Sequence, residues 1–478
     1  MTRIHTNIPS IIAQGRLYNN TSDLQTRLER LATGLRINRG KDDPAGLIAS
    51  EILRSEIGAI GQAIDNSQRA INVISTAEGA INETSRLLLD LRGLIVNTAN
   101  NGALSQEEIE ANQLEIDNIL ASIDRIANTT SFGSKKLLNG SLAYSLSSAN
   151  AGALTNQISS ISVFSARVPE GGSQNVVVQV TASAENGILQ VTGTQTSAST
   201  IEITGNQGSE ILAFASGTSV ADIVTSINAV TDSTGVSAAV VGGVVNIAST
   251  GFGSEAFVQI KTLSGSFIDG NTYTAGATEV RDIGVDATVL VNGQIADTSG
   301  LRVNIRTANL DGEFYLTSNF AQQTTSAASF QVTGGGSLFQ LGPDVSPQGQ
   351  VSVGINSISS GSLGNSVIGY LDSLRSGGAN EVKGKNFIAA QDILEESIYQ
   401  VATMRGRLGS LQKNQIETNI NSQQIALENV SSSESVIRDA DIAEEVSALT
   451  RSQILFQSTQ QTLQIANSLP QAVLGLLG

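Results

Sequence analysis

Apolar residues recur at both ends of the chain in alternating steps of three and four. Leu17, Thr21, Leu24, Leu28, Leu31 and Leu35 form one such row. A longer row runs Ile57, Ile60, Ile64, Ser67, Ile71, Ile74, Glu78, Ile81, Ser85, Leu88, Arg92, Ile95 and Ala99 without a skip. This narrow stripe is that of a coiled-coil seam. It predicts a helix from about 45 to 100, roughly 80 Å long at 1.5 Å per residue. The run "NNGAL" (100–104) ends it, and "SQEE" (105–108) predicts a capping box in which Ser105 and Glu108 bond each other's backbone N–H. Ile109, Ile116, Ile119, Ile123 and Ile126 give a third helix one apolar face. Toward the other end, Phe387, Ala390, Leu394, Val401, Met404, Leu408 and Leu411 form a stripe. After the polar "SSSES" (431–435), Ile442, Val446, Leu449, Phe456 and Leu463 form another, and the chain closes on the apolar "LPQAVLGLLG".

The centre has a different pattern. "QNVVVQVTA", "GILQVTG", "STIEITG", "GVVNIAS", "AFVQIKTL", "ATVLVNG", "LRVNIRT" and "FYLTS" are short β-branched runs closed by Gly, Asn or Ser, which predicts strands. "SVADIVTSINAV" (219–230) is the exception, with Val220, Ile223, Val224 and Ile227 at helical spacing. Of 47 glycines, 33 lie between 131 and 379. Glycine weakens helices and marks turns, so it separates helical ends from a β-rich middle. The fold class is therefore α+β: long coiled-coil helices from both termini forming a rod, with a central mostly-β insertion as an outer domain. The two terminal stripes pair with each other in one subunit or with neighbouring copies. Ile11, Ile12, Ile454 and Leu455 are additional to either stripe. One helix pair has a single seam, so covering these residues calls for other copies.

Composition narrows the chemistry. The net charge is −16, from 27 Lys+Arg against 43 Asp+Glu. That argues against a nucleic-acid partner, which needs clustered Lys and Arg. Cysteine is absent, so disulfides, thiolate metal sites and a thiol nucleophile are excluded. The single histidine, His5, cannot supply an H-E-x-x-H zinc helix. No catalytic, cofactor or metal site is expected, and the chain is read as not an enzyme. Asp439, Asp441, Glu444 and Glu445 are read as a solvated or contact face of the last helix. No segment has the roughly 18 consecutive apolar residues of a membrane span. The first residues also lack the apolar core of a secretory signal, so export is expected by another route.

Five charges, Arg36, Arg39, Lys41, Asp42 and Asp43, crowd the eight residues before Pro44, at the joint between the terminal helix and the long one. With its flanks, "NNTSDLQTRLERLATGLRINRGKDDPAGLIASE" (19–51) resembles flagellin, the subunit of bacterial flagellar filaments. The resemblance continues through "QAIDNSQRAINVISTAEGAINE" (62–83), "RGRLGSLQKNQIETNINS" (405–422), "RDADIAEEVSALTRSQILFQS" (438–458) and "QAVLGLLG". The stretch 219–249 is similar to a small module centred on Ile-Asn, and "FQLGPDVSPQGQVSVGI" (339–355) is similar to a phrase forming β-structure on the family's inner rod.

The resemblance implies three layers. Residues 1–44 and 430–478 would form the terminal coiled-coil filament core. Residues 45–150 and 330–429 would form the helical inner-shell rod, and 151–329 the outer surface domain. It implies a secreted, extracellular polymer of the chain with itself, passed through the flagellar export channel. Its implied partners are an export chaperone, a filament cap and hook-junction proteins. The assembly residues would be Leu24, Leu28, Leu31, Leu35, Ile442, Val446, Leu449, Phe456 and Leu463. A hook–filament junction protein shares the terminal helices; the dense match at 19–51 and the full C-terminal phrase favour the filament subunit. Many flagellins are also bound by a Toll-like receptor through an inner-shell helix. The corresponding positions are Asp90, Arg92 and Leu94, with Glu115 matching a carboxylate on the next helix; Asp90 and Gly93 stand where the family has an arginine and a glutamate, which weakens that recognition.

At the joint, Gly40 and Pro44 are expected to break the helix. Asp42 and Asp43 then stand where a helix dipole favours negative charge. Arg36, Arg39 and Lys41 are close enough to pair with them or with a neighbouring subunit; a solvated loop is the alternative. The Ser/Thr-rich centre also admits O-glycosylation.

Overall fold

The computed structural model describes residues 6–100, 102–147, 156–168, 172–191, 195–267, 279–324 and 326–475; His5 and 476–478 lie outside them. Its longer helices are α1 (Ile8–Thr33), α2 (Pro44–Ala99), α3 (Gln106–Thr129), α4 (Val220–Asn228), α5 (Phe387–Leu411), α6 (Thr418–Arg438) and α7 (Ile442–Gly475). A π-helical segment, Gln412–Glu417, joins α5 to α6. The helix α6 runs straight through "SSSES", so the C-terminal break falls at 439–441 rather than at the serines. The chain divides into one unit of Met1–Arg69, Gln340–Gln350 and Asn414–Gly478, and a second of Ala70–Phe339 and Val351–Lys413.

The seam of α2 differs from the row expected from spacing. Its alternate positions are Ala63, Ala70, Ala77, Thr84, Leu91 and Thr98, each one residue earlier than Ile64, Ile71, Glu78, Ser85, Arg92 and Ala99. Burying Glu78 or Arg92 would strip a charge of water without repayment. With the shift, both stay at the flank, where Glu78 meets Arg405 at 3.3 Å and Arg92 meets Glu395 at 3.6 Å. In the second unit, α2 buries Ile74, Ile81, Leu88 and Ile95, α3 buries Ile116, Leu120 and Ile123, and α5 buries Ile393, Leu394, Val401 and Leu408. The capping box of α3 forms, with Glu108 N–H donating to Ser105 Oγ (3.3 Å) and Ser105 N–H to Glu108 Oε2 (2.7 Å).

The β-rich part builds two cores. A five-stranded sheet orders its strands 294–295, 288–291, 174–182, 327–335 and 144–147, and a four-stranded sheet orders 297–299, 302–306, 310–316 and 158–166. Val178, Val289, Val303, Phe314 and Phe330 are among the residues they bury in one cluster. The second core combines a four-stranded sheet (279–283, 257–264, 199–205, 209–214), a three-stranded one (188–191, 244–249, 236–241) and α4, which contributes Ile223 and Ile227. The strand Ala327–Gly335 runs through the expected boundary at 329–330 and is paired on both sides, with Tyr144–Ser147 and Gln174–Ala182.

A charged cluster joins the first of these cores to α5. Arg302 meets Glu396 at 2.7 Å and lies over the Tyr399 ring at 4.1 Å. Glu396 also accepts from Tyr315 OH (3.1 Å) and Gln400 Nε2 (3.0 Å). Glu313 has a weaker place, 3.7 Å from Arg302 Nε. Burial pushes its carboxyl above the usual range; Arg302 opposes this and Glu396 adds to it.

Candidate assembly site

The helix α1 starts on a cap, with Asn7 Oδ1 accepting from Ser10 N–H at 3.1 Å. It runs antiparallel to α7, as the bonds between them show. Asn7 Nδ2 donates to the Ala466 carbonyl (2.8 Å) and Ser10 Oγ to Asn467 Oδ1 (2.7 Å). Asn20 Nδ2 donates to Thr459 Oγ1 (2.6 Å). Arg27 reaches Glu445 at 2.9 Å and Arg30 reaches it at 3.1 Å. Burial pushes the Glu445 carboxyl up, but the bonds and charges of the two arginines outweigh it and hold the group below its ordinary value.

The side chains inside this pair are small or polar: Ser10, Ala13, Glu445, Ser452 and Ala466 are buried. Four of the large ones point away. Ile11 is 59% exposed, Ile12 54%, Ile454 61% and Leu455 48%. Leu24, Leu31, Leu449, Phe456 and Leu463 are half-buried, while Leu28, Ile442 and Val446 are exposed. Within one copy, two of the expected leucines stand outside the α1–α7 contact. Asn20 and Arg27 hold positions next to α7, which turns Leu28 outward, and α1 stops at Thr33, which leaves Leu35 beyond it. Polar seam positions carry no signal in a search for apolar periodicity, so Asn20, Arg27, Arg30 and Glu445 escaped the sequence reading as a set.

The joint after α1 is a stitched pair of connectors. Gly34 ends the helix in the left-handed region (φ 73°), its N–H returning to the Arg30 carbonyl at 2.9 Å. The connector then pairs with the one between α6 and α7. Arg36 N–H donates to the Arg438 carbonyl (2.7 Å) and Ala440 N–H to the Gly34 carbonyl (2.9 Å). The Arg36 guanidinium reaches the Ile437 carbonyl (2.6 Å), at the end of α6 where cations are favoured.

The basic residues of the joint do not pair with its aspartates. Arg39 meets Glu29 at 2.9 Å, and Lys41 is exposed. Asp42 Oδ2 accepts from Asn38 N–H (3.2 Å) and Arg39 N–H (2.9 Å). Asp43 Oδ1 caps α2 by accepting from Gly46 N–H (2.9 Å), with Pro44 opening the helix. Backbone N–H groups at a helix start have no partner in the helix itself, and one of them claims Asp43, while N–H groups of the connector claim Asp42. A Cβ at Gly46 would stand 2.5 Å from Asp43 Oδ2 and 2.7 Å from Ile37 Cδ1, so only glycine leaves room for the cap over the buried Ile37.

Of the acidic residues near the last helix, Glu445 is buried in the pair, Asp441 caps α7 through Ala443 N–H (2.8 Å), and Asp439 and Glu444 are exposed. Among the described residues no group of His, Asp and Glu could hold a metal ion, and no helix is long and apolar enough to cross a membrane. Asp90, Arg92 and Glu115 are exposed and Leu94 is half-buried; Arg92 is the partner of Glu395.

Comparison with known proteins gives this arrangement its family. The family model described as the bacterial flagellin N-terminal helical region matches residues 4–143, its C-terminal counterpart matches 391–477, and the flagellin hook IN motif matches 200–251. Flagellin B of Helicobacter pylori is 27% identical over 522 aligned positions, covering 99% of each chain. The B-type flagellin of Pseudomonas aeruginosa is 30% identical over 527, again covering 99% of each. With both helical ends and the full length matched, the chain belongs to the bacterial flagellin family and is a structural subunit of the extracellular flagellar filament.

Proposed function

We propose that the α1–α7 pair is the element that drives polymerisation, that the stitched joint transmits its position to the long helices, and that residues 151–329 form the filament's outer surface. One observation carries this reading: the fully buried side chains of the pair are small or polar, while Ile11, Ile12, Ile454 and Leu455 are presented outside. Exposed apolar surface of this kind marks an interaction site, and in a self-polymerising subunit the partner is another copy. Each exposed large aliphatic side chain withdrawn from water contributes about 1.5–3 kcal/mol, so the main gain comes on assembly rather than on folding.

Deleting 1–35 or 440–478 tests this. Either truncated protein is expected to stay a soluble monomer with the second unit folded. Filaments of normal length from either would overturn the reading. Excising about 155–325 with a short linker is expected to leave thinner filaments, and a folded but non-assembling product would place the insertion in the lattice instead. The work of the subunit is mechanical and needs no catalytic residue. An export chaperone, a filament cap and hook-junction proteins complete its set of partners. Recognition by a host Toll-like receptor is expected to be weak, because exposed Asp90 opposes an acidic contact and Arg92 is already engaged by Glu395.

A further inference from the structure

Arg302 is divided between two buried carboxyl groups of unequal standing. Glu396 belongs to α5, across the contact between that helix and the first β core. Three donors serve it: Arg302 Nη2 at 2.7 Å, Tyr315 OH at 3.1 Å from each oxygen, and Gln400 Nε2 at 3.0 Å. Glu313 belongs to the β core itself, on the strand Leu310–Leu316. Its side chain is 8% exposed and stands 3.7 Å from Arg302 Nε, and among the described residues it accepts no hydrogen bond. The residues paired beside it, Asn304 and Ser162, are uncharged. The other charges that act on it are Glu396 and Arg407 from α5 and the exposed Arg306 from the strand of Arg302. Arg407 is itself taken by Asp311 and lies over the Phe164 ring at 3.7 Å. Apart from exposed Arg306, two cations, Arg302 and Arg407, therefore face three carboxyl groups, Asp311, Glu313 and Glu396. The Arg302 guanidinium lies over the rings of Tyr315 (4.9 Å) and Tyr399 (4.1 Å), which keep it at the contact.

We propose that Glu313 is the proton acceptor of a latch between the first β core and α5, in which Arg302 is the residue that closes it. With Glu313 ionised, Arg302 is drawn toward a carboxylate inside the core and away from Glu396, and the two carboxylates repel each other across the contact. Uptake of one proton from solvent by a Glu313 carboxylate oxygen removes both effects. The neutral acid no longer competes for the guanidinium, so Arg302 gives its attraction to Glu396 alone. A proton on Glu396 would disturb hydrogen bonds from three donors, whereas a proton on Glu313 disturbs none. Burial of Glu313 favours the same outcome, because it disfavours the charged form. The sign is fixed by this: the latch tightens as pH falls from neutral and loosens as pH rises through the folded value. The filament is extracellular, so this part of the subunit meets the acidity of its surroundings directly. The inference is independent of the role proposed for the terminal pair, since every residue in it lies in the second unit.

The chain has no cysteine, so spin labels can be placed without background. Labels at Ala121→Cys on α3 and Ser329→Cys on the strand Ala327–Gly335, both exposed, report the distance between the helices and the first β core in the full-length monomer. The distance distribution is expected to be broad at pH about 8 and to narrow at pH about 5, above the range in which exposed carboxylates titrate. Glu313→Gln should give the narrow distribution at both pH values. Glu396→Gln removes the charge that Arg302 meets across the contact and should give the broad one at both. Arg302→Lys keeps the charge without the planar fork and should also broaden it, which covers the case of a Glu396 variant that circular dichroism shows to be unfolded. The infrared difference spectrum between the two pH values should contain the band of a protonated buried carboxyl in the parent chain and lack it in Glu313→Gln. A parent distribution that does not change with pH overturns the latch, as does acid narrowing that persists undiminished in Glu313→Gln. Narrow distributions in Glu396→Gln and Arg302→Lys at neutral pH would overturn it as well, because the pair would then not be what holds the core to α5.

Discussion

Glu445 is the sharpest test of how the terminal pair is held within a single subunit. Its carboxylate is 7% exposed and receives Arg27 at 2.9 Å and Arg30 at 3.1 Å, while the two arginine side chains keep 30% and 20% of their surface. Removing one partner of a fully buried pair costs about 3–5 kcal/mol. The guanidinia here can partly rehydrate, so Glu445→Ala is expected to cost about 2 kcal/mol, within the range for hydrogen bonds to charged groups. Glu445→Gln keeps one acceptor and is expected to cost about 1 kcal/mol.

Backbone hydrogen exchange in the monomer reads this as local opening. Two kcal/mol corresponds to roughly thirtyfold faster exchange along α1 and α7. The pH dependence has a definite sign. The folded carboxyl lies below its unfolded value, so its stabilisation is fully present above pH about 4.5 and fades as pH falls through the folded value. The variant and the parent should therefore converge in acid. Equal exchange at neutral pH in the parent and in Glu445→Ala would show that the arginine pair does not hold α1 to α7.

Three further outcomes follow from the packing. Glu313 is buried with its carboxyl pushed upward, so its ionised form weakens the fold; Glu313→Gln should raise the urea midpoint at neutral pH, and the gain should vanish in acid once Glu313 is protonated in both states. Gly46→Ala should displace the Asp43 cap and cost about 1 kcal/mol in thermal or urea unfolding of the first unit. Asp43→Ala should cost a similar amount in the monomer itself and should not be rescued by salt, because the carboxylate serves a backbone N–H group rather than an arginine.

The last expectation shows where sequence reading reached its limit. Charge crowding identified "RGKDDPAG" as a joint and Pro44 as the start of the long helix, since proline and aspartate have strong local preferences there. Which partners those charges take was not legible. Arg36 bonds the Ile437 carbonyl and Arg438 meets Glu51, residues roughly 400 positions apart in sequence. Heptad counting located α1, α2, α5 and α7, because apolar spacing survives without any knowledge of the partner. It misplaced alternate seam positions by one residue, since it weighed Ile64 and Ile71 by hydrophobicity and could not weigh the closeness that Ala63, Ala70 and Ala77 permit. Strands 174–182, 199–205, 244–249 and 302–306 were legible as β-branched runs. The Arg302–Glu396–Tyr315 cluster was not, because its members are remote in sequence and only the tertiary fold brings them together.

The stitched joint and the pair beyond it also set an order of events. Asn7 bonds Ala466 across 459 residues of chain. Closing so long a flexible loop costs about 5 kcal/mol of chain entropy, which is comparable to what the polar bonds between α1 and α7 return. Once the second unit has folded, Glu78 and Arg405 are already held together, and the loop that remains to be closed is severalfold shorter. The terminal pair is therefore the last part of the subunit to form and the first to be lost. Under the role proposed for the pair, the subunit acquires its assembly surface only after its interior is complete, and this delay guards against premature association.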